Sequence, residues 1–145
     1  MGWVEDRFKT EDMYEKGLAV LWDEMRDSIG AGIIAVNTRA DEIVVEHKDC
    51  TARSRFCVRI VRRSDPSKSI EVFLDPPSRM LRTSGPMSID STVDVFPYRV
   101  SSNLERLEYF KKGDKEDAVA TEQACQKAIE AFLFGESPKP TVGPR

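Results

Sequence analysis

Leu18, Leu21, Trp22, Met25, Ile29, Ile33 and Val36 recur every three or four residues, the spacing at which side chains line one face of an α-helix. A stripe this long commits the N-terminal part of the chain to an amphipathic helix whose apolar face must be covered by another layer. The expected helix runs over residues 11–36. Thr10 is placed to act as N-cap, Glu11 and Asp12 sit in the positive first turn, and Asn37 tolerates the left-handed conformation that closes a helix. A competing reading ends the helix near Ser28 and makes residues 32–36 a strand. That segment is short, apolar and β-branched, and Gly30 and Gly32 each cost about 1 kcal/mol in a helix interior.

After Asp41 the period changes from helical to alternating. Residues 43–48, 55–63, 69–75 and 92–100 read as strands, and 79–83 as a shorter one. Turn residues separate them: 49–54, then Ser64 to Ser67, Pro76 to Ser78, and Ser84 to Pro86. Consecutive short strands joined in this way form an antiparallel meander. Pro97 cannot donate a ladder hydrogen bond, so its strand is expected to be an edge or to be bulged there. Residues 104–110 fit either a helix or a strand, with the strand preferred. Ala124, Cys125, Ala128, Ile129, Phe132 and Leu133 form a helical stripe that starts from Thr121 as N-cap and is closed by Gly135.

The fold class expected is α+β: a meander sheet of about five or six strands, with the long N-terminal helix and the C-terminal helix packed on one face. Residues 1–136 form one domain, and 137–145, rich in proline and nearly devoid of apolar groups, form a disordered tail. The core is supplied by Leu18, Trp22, Met25, Ile29, Ile129, Phe132 and Leu133 from the helices and by Val58, Ile60, Val72 and Leu74 from the sheet. The other face of the sheet is left open.

The chain of 145 residues holds 25 acidic and 22 basic side chains, a net charge of −3. The charge is sorted along it. Residues 1–42 carry 10 acids and 5 bases, 43–82 carry 5 and 9, and 83–145 carry 10 and 8. No segment approaches the ~20 apolar residues that span a bilayer, and the acidic start lacks the basic flank of a signal peptide. A cytoplasmic protein with no membrane contact is expected, and its three cysteines, without an even framework or a CxxC pair, are expected to be reduced.

The chemistry-bearing residues are sparse. His47, Cys50 and Cys57 are metal-ligand types close in sequence, but the pleat turns Cys57 to the face opposite His47, and this is the only histidine in the chain. No metal, cofactor or catalytic residue is assigned. A Ser or Cys nucleophile has only His47 as an imidazole base, and no phosphate-binding glycine loop follows a strand. Gly30 and Gly32 are read as a close helix-packing contact. Cys125 is read as a core residue, and Asp23 and Glu24 as solvated.

The basic segment is the most informative feature. Arg53, Arg55, Arg59 and Arg63 are all odd-numbered and stand on one face of a strand, opposite Phe56, Val58 and Ile60. Val61 and Phe73 join that face, with Phe96 or Tyr98 as further candidates. Glu71 and Asp75, on the neighbouring strand, are placed to pair with the arginines. A mixed arginine and apolar face suits protein binding, so Arg53, Arg55, Arg59, Val61, Arg63 and Phe73 are the candidate partner-binding residues. The expected function is a non-enzymatic interaction or adaptor module, with a homo-oligomer formed through the open sheet face or another protein as partner. Single-stranded nucleic-acid binding by the same arginines ranks second, and a small-molecule-binding protein or enzyme of unassigned class third.

Overall fold

The computed structural model describes residues 2–50, 54–85, 92–101, 106–111 and 118–134. Helix α1 (Trp3–Ala40) is followed by β1 (Val45–Asp49), β2 (Cys57–Arg62), β3 (Ser69–Asp75), β4 (Met80–Ser84), β5 (Thr92–Val100), β6 (Leu107–Phe110) and β7 (Ala118–Val119), and the described chain ends with α2 (Thr121–Leu133). The strands pair only with their neighbours in sequence, giving an antiparallel sheet of order β1 to β7. The α+β class and the meander are as expected. The sheet gains β7, which is too short to carry an alternating pattern, and the described part of 104–110 is a strand, β6 (Leu107–Phe110). The tail at 137–145, the end of the domain at 136 and the Gly135 closure lie outside the described residues.

Both helices lie on one face of the sheet. Leu18, Leu21, Trp22, Met25, Ile29 and Ile33 are the buried residues of α1, and Ala124, Cys125, Ala128, Ile129 and Leu133 those of α2. They close over Val45, Val58, Ile60, Val72, Leu74, Leu81, Val95, Tyr98, Leu107 and Tyr109. Phe132, expected in the core, is only partly buried, and the Arg62 guanidinium lies over its ring. No helix among the described residues is long and apolar enough to cross a membrane.

Helix α1 is longer than expected at both ends. At 38 residues it extends about 57 Å. Thr10 lies inside it rather than capping it; Gly2 is the N-cap, without a side-chain cap bond. Residues 32–36 are helical, and the glycine cost there is offset by contact. A Cβ on Gly32 would touch Leu133 Cδ1 at 3.5 Å, whereas Gly30 faces open space, so only one of the two serves helix packing. Gly17 makes the closer approach: a Cβ there would stand 2.9 Å from Leu107 Cγ on β6.

Asn37 does not close the helix. Asp41 does, at φ 61°. The Asn37 side chain instead reaches into the next strand: Oδ1 accepts from Val44 N (2.9 Å) and Val45 N (3.1 Å), and Nδ2 donates to Val45 O (3.0 Å). On the strand beside it, Arg62, which pairs with Val45, donates to the carbonyls of Phe132 and Leu133 in the last turn of α2, supplying the donors that the last carbonyls of a helix lack internally.

Strand β5 is interior, between β4 and β6, and its bulge falls not at Pro97, which pairs with Met80, but at Val95, where the register shifts between Leu81 and Arg82. Tyr98 N donates to Arg79 O, so the Pro97 nitrogen faces the β6 side, where the ladder begins only at Tyr98. Proline is thereby accommodated in an interior strand. The bulge also places Tyr98 in the core, and Phe96 packs against it, so neither belongs to an open outer face.

Candidate functional site

Among the described residues, the outer face of the sheet carries Arg55, Arg59 and Arg63 of the expected arginines, and each is engaged. Arg59 faces Glu71 across the β2–β3 ladder, with Nη2 at 2.6 Å and Nε at 3.2 Å from Oε2. Arg63 lies 3.7 Å from the Glu46 carboxylate, and Arg55 stacks over the Phe56 ring. Arg53 lies outside the described residues. Arg82, which pattern alone did not single out, bridges Asp75 (3.0 Å) and Asp94 (2.7 Å). The expected pairing of Glu71 and Asp75 with arginine is therefore present, although Asp75 takes Arg82 rather than a β2 arginine.

Val61 and Phe73 share this face, as the pleat requires, but they are 6% and 4% exposed. The expectation that they form an open apolar patch is corrected. Phe73 is flanked by Cys57 on β2 and Arg82 on β4, and Val61 by Glu46 on β1. Long charged side chains on adjacent strands cover apolar surface with their stems while the charge stays in water.

Below Arg59 lies a group that the sequence did not bring together. Cys50 Sγ is 2.8 Å from Cys57 Sγ and 3.6 Å from Glu71 Oε2. These three are the only described His, Cys, Asp or Glu cluster compact enough to hold a metal ion. His47 is exposed on β1 opposite Ile60, on the helix side of the sheet. The pleat argument separating it from Cys57 holds. Burial pushes the Cys57 thiol well above the ordinary range, and contact with Cys50 adds to the shift.

A second feature lies at the N-terminal end of α1. Burial along the helix begins at Leu18, yet the preceding turns expose Trp3 (77%), Val4 (44%) and Phe8 (62%). Trp3 is eighteen residues before Leu21, and Val4 eighteen before Trp22. Eighteen residues are about five turns, so Trp3 and Val4 repeat the phase of Leu21 and Trp22, while Arg7 and Glu11, at the phase of Met25 and Ile29, form an exposed ion pair and Phe8 lies beside them. Beside this arm, Met13, Gly17, Val20 and Leu107 line an apolar cleft of about 370 Å³, rimmed by Lys9, Asp12, Lys16 and Arg106. The phase relation was present in the sequence, but the expected start at residue 11 left it unread.

Between the helices, Glu24 accepts from Arg106 Nη2 (2.8 Å) and Thr121 Oγ1 (3.3 Å), so it is a tie between α1, the β6 region and α2 rather than a solvated group. Cys125 is buried, as expected. Fold and site together define an α+β single-sheet protein with both helices on one face, a charge-paired outer face and an overhanging apolar helix arm. No protein-family model, curated protein or solved structure matches the chain.

Proposed function

We propose that this protein is a non-enzymatic interaction module that self-associates through the N-terminal arm of α1. The observation that carries this reading is the exposed group of Trp3, Val4 and Phe8 on the uncovered end of α1, with Trp3 and Val4 at the phase of the buried Leu21 and Trp22. Exposed apolar groups that lie together mark an interaction surface. A second copy offers the same group, and a two-fold axis brings like surfaces together. The expected location on the outer sheet face is less favourable, because Val61 and Phe73 are buried and Arg59, Arg63 and Arg82 each face a carboxylate. The same pairing weakens support for nucleic-acid binding.

The area sets the strength. At ~150–250 Å² for an aromatic side chain, each arm offers roughly 350 Å² of apolar surface. Two arms bury about 700 Å², below the ~1,000 Å² of a stable interface. The association is therefore of the weak, transient class, with Kd in the micromolar range or above. Sedimentation equilibrium and Trp emission measured across a concentration series test it. Trp22 is buried in the monomer, so a concentration-dependent blue shift reports Trp3. The expected result is a monomer–dimer equilibrium that Phe8→Asp abolishes. A monomer at every concentration, with invariant emission, refutes the proposal.

A further inference from the structure

The geometry points to a reversible disulfide between Cys50 and Cys57, which makes this corner of the outer sheet face a thiol–disulfide site independent of the α1 arm. Cys50 lies one residue beyond β1, and the register that pairs Val45 with Arg62 and Asp49 with Val58 continues to place it opposite Cys57. Arg63 N donates to Val44 O at 3.0 Å, which makes that position a hydrogen-bonded pair. The two classes of pair alternate along an antiparallel ladder, so the Cys50/Cys57 position is of the same class. Such pairs hold their Cα atoms about 5.5 Å apart, inside the ~4.4–6.8 Å that a disulfide spans. The sulfurs are already 2.8 Å apart, nearer than the ~3.5–4.0 Å of ordinary unbonded contacts.

Cys50, Cys57 and Glu71 are also metal-ligand types, and two observations weigh against an ion. Sulfurs on a tetrahedral zinc, each about 2.3 Å from the metal, stand about 3.8 Å apart, well beyond the separation found here. The Glu71 oxygen nearest Cys50 already receives both Arg59 Nε and Nη2, so that carboxylate has a cationic partner without an ion.

The oxidant is a low-molecular-weight disulfide of the glutathione type. Cys50, the more accessible of the two, attacks as a thiolate. A bond forms from its sulfur to one sulfur of the oxidant, and the other leaves as a thiolate. Cys57 then loses its proton and attacks Cys50 Sγ, closing the Cys50–Cys57 bond and expelling the second small thiolate. The two protons given up by the protein end on the two released thiols. The protein loses two electrons, and one small disulfide is reduced. Burial raises the Cys57 thiol, which suits it to the resolving step rather than the first attack.

The test uses the full chain equilibrated in mixtures of reduced and oxidised glutathione, quenched by alkylation and weighed intact. The expected product lacks two hydrogens, takes a single label at Cys125, yields a Cys50–Cys57 linked peptide on digestion and reverts with dithiothreitol. Cys50→Ser, at a half-buried position, removes that product while its circular dichroism stays that of the wild type. Stable glutathione adducts on Cys50 without closure, three labelled thiols in every mixture, bonds formed only between chains, or stoichiometric zinc protecting both sulfurs would each overturn the assignment.

Discussion

Replacing Asn37 by alanine tests how the long helix is fastened to the sheet. The side chain makes three hydrogen bonds to the backbone of residues 44 and 45, where β1, an edge strand, begins. At about 1 kcal/mol net per bond, their loss costs about 3 kcal/mol. Alanine returns roughly 0.6 kcal/mol through its better helix propensity. The expected destabilisation is therefore about 2–3 kcal/mol, or about 5–10 °C in Tm for a domain of this size. Urea unfolding followed at 222 nm measures it, and the slope m should be unchanged because the surface exposed on unfolding is the same. Asn37→Asp keeps the Oδ1 acceptor for the two amides but sets a second carboxylate oxygen against Val45 O, so it should recover only part of the loss. Hydrogen exchange at Val44 and Val45 should accelerate in the alanine variant ahead of the rest of the sheet. If Asn37→Ala unfolds within about 0.5 kcal/mol of wild type, the clamp does not fasten α1 and the reasoning fails.

Gly17→Ala should destabilise by about 1–2 kcal/mol despite better helix propensity, since its Cβ meets the buried Leu107 at 2.9 Å; combined with Leu107→Ala it should cost less than the sum, which a denaturation double-mutant cycle measures. Burial raises the hydroxyl pKa of both Tyr98 and Tyr109 above the usual tyrosine value. Their contribution to stability is complete below the unfolded value near pH 10 and is lost as pH rises through the folded values. An alkaline titration at 295 nm should therefore show Tyr98 and Tyr109 ionising only as the fold is lost, with far-UV dichroism falling over the same interval.

Strands β3 and β5 were legible to the residue because their ends carry turn chemistry: Ser64 to Ser67 precedes β3, and Pro76 to Ser78 follows it. Both helices were legible from their apolar stripes. The helix ends were not. Thr10 has the chemistry of a cap, but the helix runs through it to Trp3, and Asn37 is drawn away from a capping role by amides that only the tertiary fold brings near. The outer face was read correctly as to side but not as to exposure, since burial of Val61 and Phe73 depends on what the neighbouring strands place around them. Arg59 with Glu71 follows from pleat and register. The Cys50–Cys57–Glu71 group does not, because it joins three segments and Cys50 belongs to no regular strand.

The order of elements gives the apolar face of α1 a history. Apart from β1, the elements that pack most extensively against it among the described residues are β5, β6 and α2, which are made late in the chain. At ~5–20 residues per second, the stretch between Ile33 and Ile129 takes roughly 5–20 seconds to synthesise. Throughout that interval β1 to β4 can zip together from their turns, while Leu21, Trp22, Met25 and Ile29 still lack α2. Within this chain the helix made before the sheet is thus the last to be enclosed, and its apolar face is the surface that a nascent-chain chaperone would meet.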